Sequence, residues 1–216
     1  MIVLGAAGLG IYSLLHRPAA MPFQKFTVTQ VTNTGKAARA AISPDGKYVL
    51  SVMDDNGFAS LWLRNIPTGS DTQVIPPSAS HYESLAFSPD GNYIYFRKAE
   101  NATQFYYNLY RSPIFGGTPQ TVVRGVDSDI AFSPDAQHIA YMRNGPEATK
   151  YRILTTSLEA GNETVLQIRS AASEQPLPGL AWSTRDNGIS ALSRNLKNSS
   201  INGGLRGGDF SVRSAG

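Results

Sequence analysis

The chain has no cysteine, so a disulfide framework, a zinc-thiolate centre and a thiol nucleophile are all excluded. It has only three histidines, His16, His81 and His138, and no two of them stand at a metal-ligand spacing. Charge is sparse at 16% of residues, and the net excess of +3 is local. Residues 184–216 hold Arg185, Arg194, Lys197, Arg206 and Arg213 against Asp186 and Asp209, which leaves residues 1–183 neutral. A nucleic-acid surface needs a clustered basic field, so that class of partner is excluded. There is no Gly-rich phosphate loop, no His-Arg-Asp loop and no Asp-Phe-Gly, so the chain carries no kinase machinery. Gly-x-Ser-x-Gly is absent too, which excludes a hydrolase nucleophile of that type.

Only one long apolar run is present. Residues 1–15 (MIVLGAAGLGIYSLL) carry no charge and end at His16, Arg17 and Pro18. A bilayer span needs about 20 apolar residues. The run therefore reads as a transmembrane helix or its C-terminal part, or as the apolar region of a signal peptide. The lack of a basic start favours the first. Residues 16–25 follow as a linker.

What is present is 41% hydrophobic residues, with 10 Tyr, 9 Phe, 20 Gly and 13 Pro. That composition suits a buried core built from short strands and many turns. A repeat gives the pattern its form. Ala41-Ile42-Ser43-Pro44-Asp45-Gly46 returns as Ala86-Phe87-Ser88-Pro89-Asp90-Gly91 and as Ala131-Phe132-Ser133-Pro134-Asp135-Ala136. A worn copy starts at Ala181-Trp182-Ser183 and continues through Thr184 to Gly188. In the intact copies Pro presets the second turn position, Asp bonds its own backbone, and Gly takes the left-handed conformation; the third copy has Ala136 in place of Gly and the worn copy lacks Pro. An alternating strand follows: Tyr48–Val52, Tyr93–Phe96, His138–Tyr141. A third strand runs over Ser60–Arg64, Asn108–Arg111 and Arg152–Thr155. A short fourth covers Thr72–Ile75, Gln120–Val123 and Glu163–Leu166. Four antiparallel strands per 45 or so residues is the plan of a propeller blade. Phe26–Val31 reads as an outer strand with no partner upstream.

The recurring turn resembles the TolB-like, WD-type propeller repeat called PD40, over residues 26–183. Over Gly35 to Met53, Ser60 to Pro77 and Asn108 to Ile130, the wording is similar to the propeller half of bacterial membrane-anchored serine/threonine protein kinases. The resemblance implies an all-β partial propeller of about three complete blades and a partial fourth. It also implies an apolar helix before the propeller, and an extracytoplasmic sensor role with no catalysis in this chain. Similar propellers follow winged-helix domains, act as TolB-type periplasmic proteins in envelope protein assembly, or gate peptidases of the prolyl oligopeptidase type. Those alternatives stay open. Residues 184–216 are a degenerate fourth blade, with Gly207–Gly216 as its third strand, or a disordered tail. Three and a half blades would leave apolar faces uncovered, and self-association would cover them.

No catalytic, cofactor or metal residue is assigned. Asp45, Asp90 and Asp135 have turn roles. Asp54-Asp55-Asn56-Gly57 could suggest calcium, but Asn-Gly reads as a hairpin turn. His138 replaces the repeat's Tyr and reads as a strand residue. His81, with Glu83 nearby, is a solvated loop residue or a channel-mouth group. Asn101 and Asn162 begin glycosylation-type triplets of little weight. Binding of a protein or small ligand is expected at a channel mouth, on the loops 76–83, 124–127 and 168–178, with the membrane met through the N-terminal helix.

Overall fold

In the computed structural model the chain divides into two units, residues 1–33 and 34–216. The structure describes residues 30, 35–100, 106–145, 149–170, 174–183, 188–195 and 207–213. The apolar run 1–15, the linker 16–25, most of the strand expected at Phe26–Val31 and the worn turn at 184–187 lie outside the described residues. No helix among the described residues is long and apolar enough to cross a membrane.

Fifteen strands are described in the second unit, in four sheets. The first sheet is β1 (Ala37–Ile42), β2 (Tyr48–Asp55), β3 (Phe58–Asn65) and β4 (Asp71–Ser78). The second is β5 (His81–Phe87), β6 (Tyr93–Ala99), β7 (Asn108–Pro113) and β8 (Gln120–Val123). The third is β9 (Ala131–Phe132), β10 (His138–Asn144), β11 (Lys150–Ser157) and β12 (Glu163–Ser170). The fourth contains β13 (Glu174–Trp182), β14 (Gly188–Asn195) and β15 (Gly207–Arg213). Each sheet is an antiparallel meander in sequence order. Strand β1 lies against β5, and β9 against β13, so the first strands of the first two sheets, and those of the last two, are neighbours, as they are around a propeller axis.

The repeated turn joins the first two strands of each of the first three blades. Gly46 N–H donates to the Ser43 carbonyl at 2.9 Å, closing the β-turn, and Gly46 takes φ +71°. Ser43 has a role that turn chemistry alone does not supply. Its hydroxyl donates to Asp45 Oδ1 at 2.7 Å and accepts from Tyr48 N–H at 2.9 Å. Asp45 Oδ1 also accepts from Lys47 N–H at 3.0 Å. The same set recurs at Ser88 with Asp90 and at Ser133 with Asp135. All three serines are buried, so the aspartates are fixed as hydrogen-bond acceptors. The hairpin after β2 is a two-residue loop with Asn56 at φ 55° and Gly57 at φ 85°. Asp54 Oδ1 accepts from Gly57 N–H at 3.1 Å, which is a turn contact.

Apolar side chains fill the gaps between blades. Leu50, Val52, Leu61 and Leu63 of the first blade pack with Tyr82, Phe87, Ile94 and Phe96 of the second. Tyr95, Leu109 and Val123 of the second meet Ile139, Tyr141 and Leu154 of the third. Ala140, Met142, Tyr151 and Ile153 of the third meet Ile189 of the fourth.

Two predictions follow from the turns. Ala136 stands at φ 58° where the other copies have Gly, and a side chain resists that conformation. Ala136→Gly is expected to raise stability by about 0.5–1 kcal/mol in denaturant unfolding, the αL relief exceeding the added chain entropy. Hydrogen bonds from Ser43, Ser88 and Ser133 hold the carboxyls of Asp45, Asp90 and Asp135 below their ordinary 3.8. Depressed carboxyls add stability above the unfolded value, and that stability is lost as pH falls through the folded values. The melting temperature should therefore drop on acidification below pH 3.8. The Asp→Asn variant at all three turns should show a shallower acid loss in the same titration.

Candidate functional site

The meander sends the β1–β2 type of turn to one end of every blade and the starts of the first strands to the other. At this second end the blades carry unlike charges. The 45-residue repeat places Arg39, Ser84 and Asp129 at equivalent positions of the first three blades. Register agrees: Arg39 pairs with Val52 and Ser84 with Arg97. A bulge between Tyr82 and Ser84 changes the alternation and turns Glu83 towards this group.

Glu83 is the centre of the arrangement. Its Oε2 accepts from Arg39 Nη2 at 2.8 Å, across the boundary between the first two blades. Its Oε1 lies 3.1 Å from His81 Nε2 and accepts from the Tyr107 hydroxyl at 3.2 Å. Burial pushes the Glu83 carboxyl up, but the hydrogen bond from His81 and the charge of Arg39 outweigh it and hold it low. His81 opens β5 and its ring is tilted against Tyr107 at 6.1 Å.

Arg97 lies beneath this rim. It is only 6% exposed, and its guanidinium carbon stands 5.1 Å from the centre of the Tyr107 ring. Its Nε is buried without a hydrogen-bond partner among the described residues. Burial pushes the Arg97 guanidinium down, against the pull of Asp129, Glu83 and Asp127. Asp129 is exposed at the rim; the protein crowding its carboxyl pushes it up, against the charge of Arg97 and a hydrogen bond from Ser84.

The loops expected to bind are shorter than their sequence suggested. Because β4 runs to Ser78 and β5 starts at His81, the segment 76–83 contains only two connecting residues, Ala79 and Ser80. Segment 124–127 is tied down: Arg143 Nε donates to the Gly125 carbonyl at 2.8 Å, and Asp127 Oδ2 accepts from Asn144 N–H at 2.8 Å. Segment 168–178 is largely the end of β12 and the start of β13. Sequence reasoning singled out His81 and Glu83, which the structure joins, but missed Arg39, Arg97, Tyr107 and Asp129. Subtracting 45 from each number would have exposed two of them. Arg97 stands where the other blades have Val52 and Met142, and Asp129 where they have Arg39 and Ser84. His138 opens β10, its N–H bonded to Ser133 Oγ. No group of three or more acidic or histidine side chains suited to a metal is found among the described residues.

Clefts of about 420 and 380 Å³ lie between blades at the opposite, Ser-Pro-Asp end. The larger is lined by Asp135, His138, Asn162 and Trp182, the other by Asp90, Tyr93, Arg111 and Phe132. The aspartates of these clefts, Asp135 and Asp90, are held by the turn serines Ser133 and Ser88.

No protein-family model matches the sequence, and no curated protein sequence matches it. Solved structures do. A putative TolB from Agrobacterium tumefaciens superposes with a TM-score of 0.56 at 20% identity, over 80% of this chain and 63% of that one. TolB from Acinetobacter baumannii gives 0.53 at 16% identity, over 87% and 46%. Oligogalacturonate lyase from Vibrio parahaemolyticus gives 0.60 at 13% identity, over 79% and 50%. The chain thus spans 46–63% of the length of these three structures. Repeated turns, four-stranded meanders, stacked blades and these likenesses agree that the fold is that of a TolB-like β-propeller.

Proposed function

We propose that this chain is a non-catalytic propeller module that binds a protein or small ligand at the end of the blades carrying Arg39, His81, Glu83, Arg97 and Asp129. The observation that carries the reading is Arg97, a buried guanidinium whose Nε has no partner, set under a rim of exposed charges. The described turn aspartates Asp45, Asp90 and Asp135 are engaged as hydrogen-bond acceptors within their turns, which supports a structural role for them. Together with the apolar run 1–15 and the kinase-like wording of the blades, this supports a membrane-anchored, extracytoplasmic sensor part of a receptor-type serine/threonine kinase. The likeness to TolB structures favours a second reading, a periplasmic propeller of envelope protein assembly.

The absence of cysteine gives a direct test of location. Thr68 is exposed, so Thr68→Cys introduces a single reactive thiol. It should react with a membrane-impermeant maleimide in intact cells with a permeabilised outer membrane. Protection until the inner membrane is lysed would place the propeller in the cytoplasm. The binding end can be tested with a photo-crosslinking residue at His81 or, as control, at Ala136. Adducts are expected from His81 and not from Ala136. Adducts from Ala136 alone, or from neither, would refute the assignment.

A further inference from the structure

Arg97 breaks the repeat. Its equivalents in the neighbouring blades, Val52 and Met142, are each 3% exposed and pack in apolar clusters. The second blade buries a guanidinium at that position instead, at 6% exposure. A buried charge is normally paired, because leaving it unpaired is costly. Here the carboxylates of Asp129, Glu83 and Asp127 attract it through space, but none forms an ion pair with it among the described residues. Glu83 accepts from Arg39, Tyr107 and the His81 ring. Asp127 accepts from the Asn144 amide, and Asp129 is bonded by Ser84. No ion pair within 4.0 Å involves Arg97 among the described residues. The Tyr107 ring covers one side of the guanidinium and offers no acceptor to Nε. A structural arginine would have been given a carboxylate, and a structural core position would have kept the Val or Met of the other blades.

The surroundings limit what could fill the gap. Arg39 and Arg97 stand with Glu83 and Asp129, and Asp127 nearby is shared with Arg143, so the neighbourhood holds no excess of positive charge. A phosphate or a dicarboxylate would find no net positive charge to bind it. A group offering one planar oxyanion to the guanidinium fork and one cation to the rim carboxylates would match it. We infer that this end of the propeller takes a zwitterionic head group of the amino-acid type, its carboxylate on Arg97 and its ammonium at Asp129. This rests on the proposed binding role of the same end and adds the chemistry of the ligand. Arg97, at the floor, is the anchor. Asp129, exposed at the rim, is the counter-charge. Glu83 is the brace that keeps Arg39 and Tyr107 in place.

The full chain can be titrated by calorimetry with glycine, β-alanine and γ-aminobutyrate, against acetate and methylammonium alone. At least one zwitterion should bind tenfold or more tightly than either single-charge probe. Arg97→Met puts the third blade's own residue at the equivalent position, so folding is preserved. It should weaken zwitterion binding at least tenfold while raising the melting temperature, because the buried charge is gone. A merely structural arginine would lower the melting temperature when replaced. Asp129→Asn should weaken zwitterions and leave acetate unchanged. Acetate binding equal to the zwitterions, unaltered binding by the Met variant, or no binding by any probe overturns the inference. If His81 crosslinks to a partner in all these cases, the binding role of this end survives and only the ligand class falls. If crosslinking is lost as well, both fall.

Discussion

Burial of apolar side chains between consecutive sheets is the interaction on which the rest depends. A four-stranded meander has two faces, and neither is stable in water when lined with Leu, Val, Ile and Tyr. Stacking solves this by turning each face into half of a core. Leu50 and Leu61 meet Ile94 and Phe96, Leu109 meets Ile139 and Leu154, and Ile153 meets Ile189. Apolar surface removed from water at each boundary contributes roughly 25 cal/mol per Å². No blade holds its own core, so the first strands are brought side by side as a consequence. Polar residues near their starts, joined by Tyr107 and Asp129 from connecting segments, then meet at one end.

The Ser-Pro-Asp turn and the polar rim therefore belong to opposite ends of the same strands and obey different rules. At the turn, every polar group has a local partner: the buried serine hydroxyl, the aspartate and the backbone amides close on one another. At the rim, partners come from different blades, as in Arg39 with Glu83. Local closure makes the turn a structural fixture. Interblade pairing makes the rim sensitive to what each blade carries, and so able to differ from one protein of this fold to the next. The inter-blade clefts beside the turns hold Asp90 and Asp135, whose carboxylates are already engaged by turn bonds.

Much of this was legible in the residues. The repeat located the hairpins to within a residue or two, since Pro and Gly fix φ locally and alternation fixes the buried face. The Asn56-Gly57 hairpin was read correctly, because positive φ at both positions suits that pair. The role of Ser43, Ser88 and Ser133 was not read. A serine hydroxyl that donates to one residue and accepts from another five positions on depends on strand geometry beyond the turn. Of the connectors between blades expected at 76–83, 124–127 and 168–178, the first and last are shorter in the structure. Edge strands accept Pro, and β4 continues through Pro76 and Pro77 to Ser78.

The sequence by itself determined the unit: a blade of four strands, its first two joined by a turn whose chemistry is local and repeated in phase. It also determined that the turn aspartates are acceptors, since that role is satisfied within a few residues. Which charges meet was decided only by the tertiary structure. Arg39 and Glu83 are 44 residues apart, and Arg97 and Asp129 are further from one of them than any local rule reaches. Their proximity is set by the twist and spacing of stacked sheets. The bulge at Glu83 and the burial of Arg97 without a partner are likewise products of packing, and they give this propeller its particular chemistry.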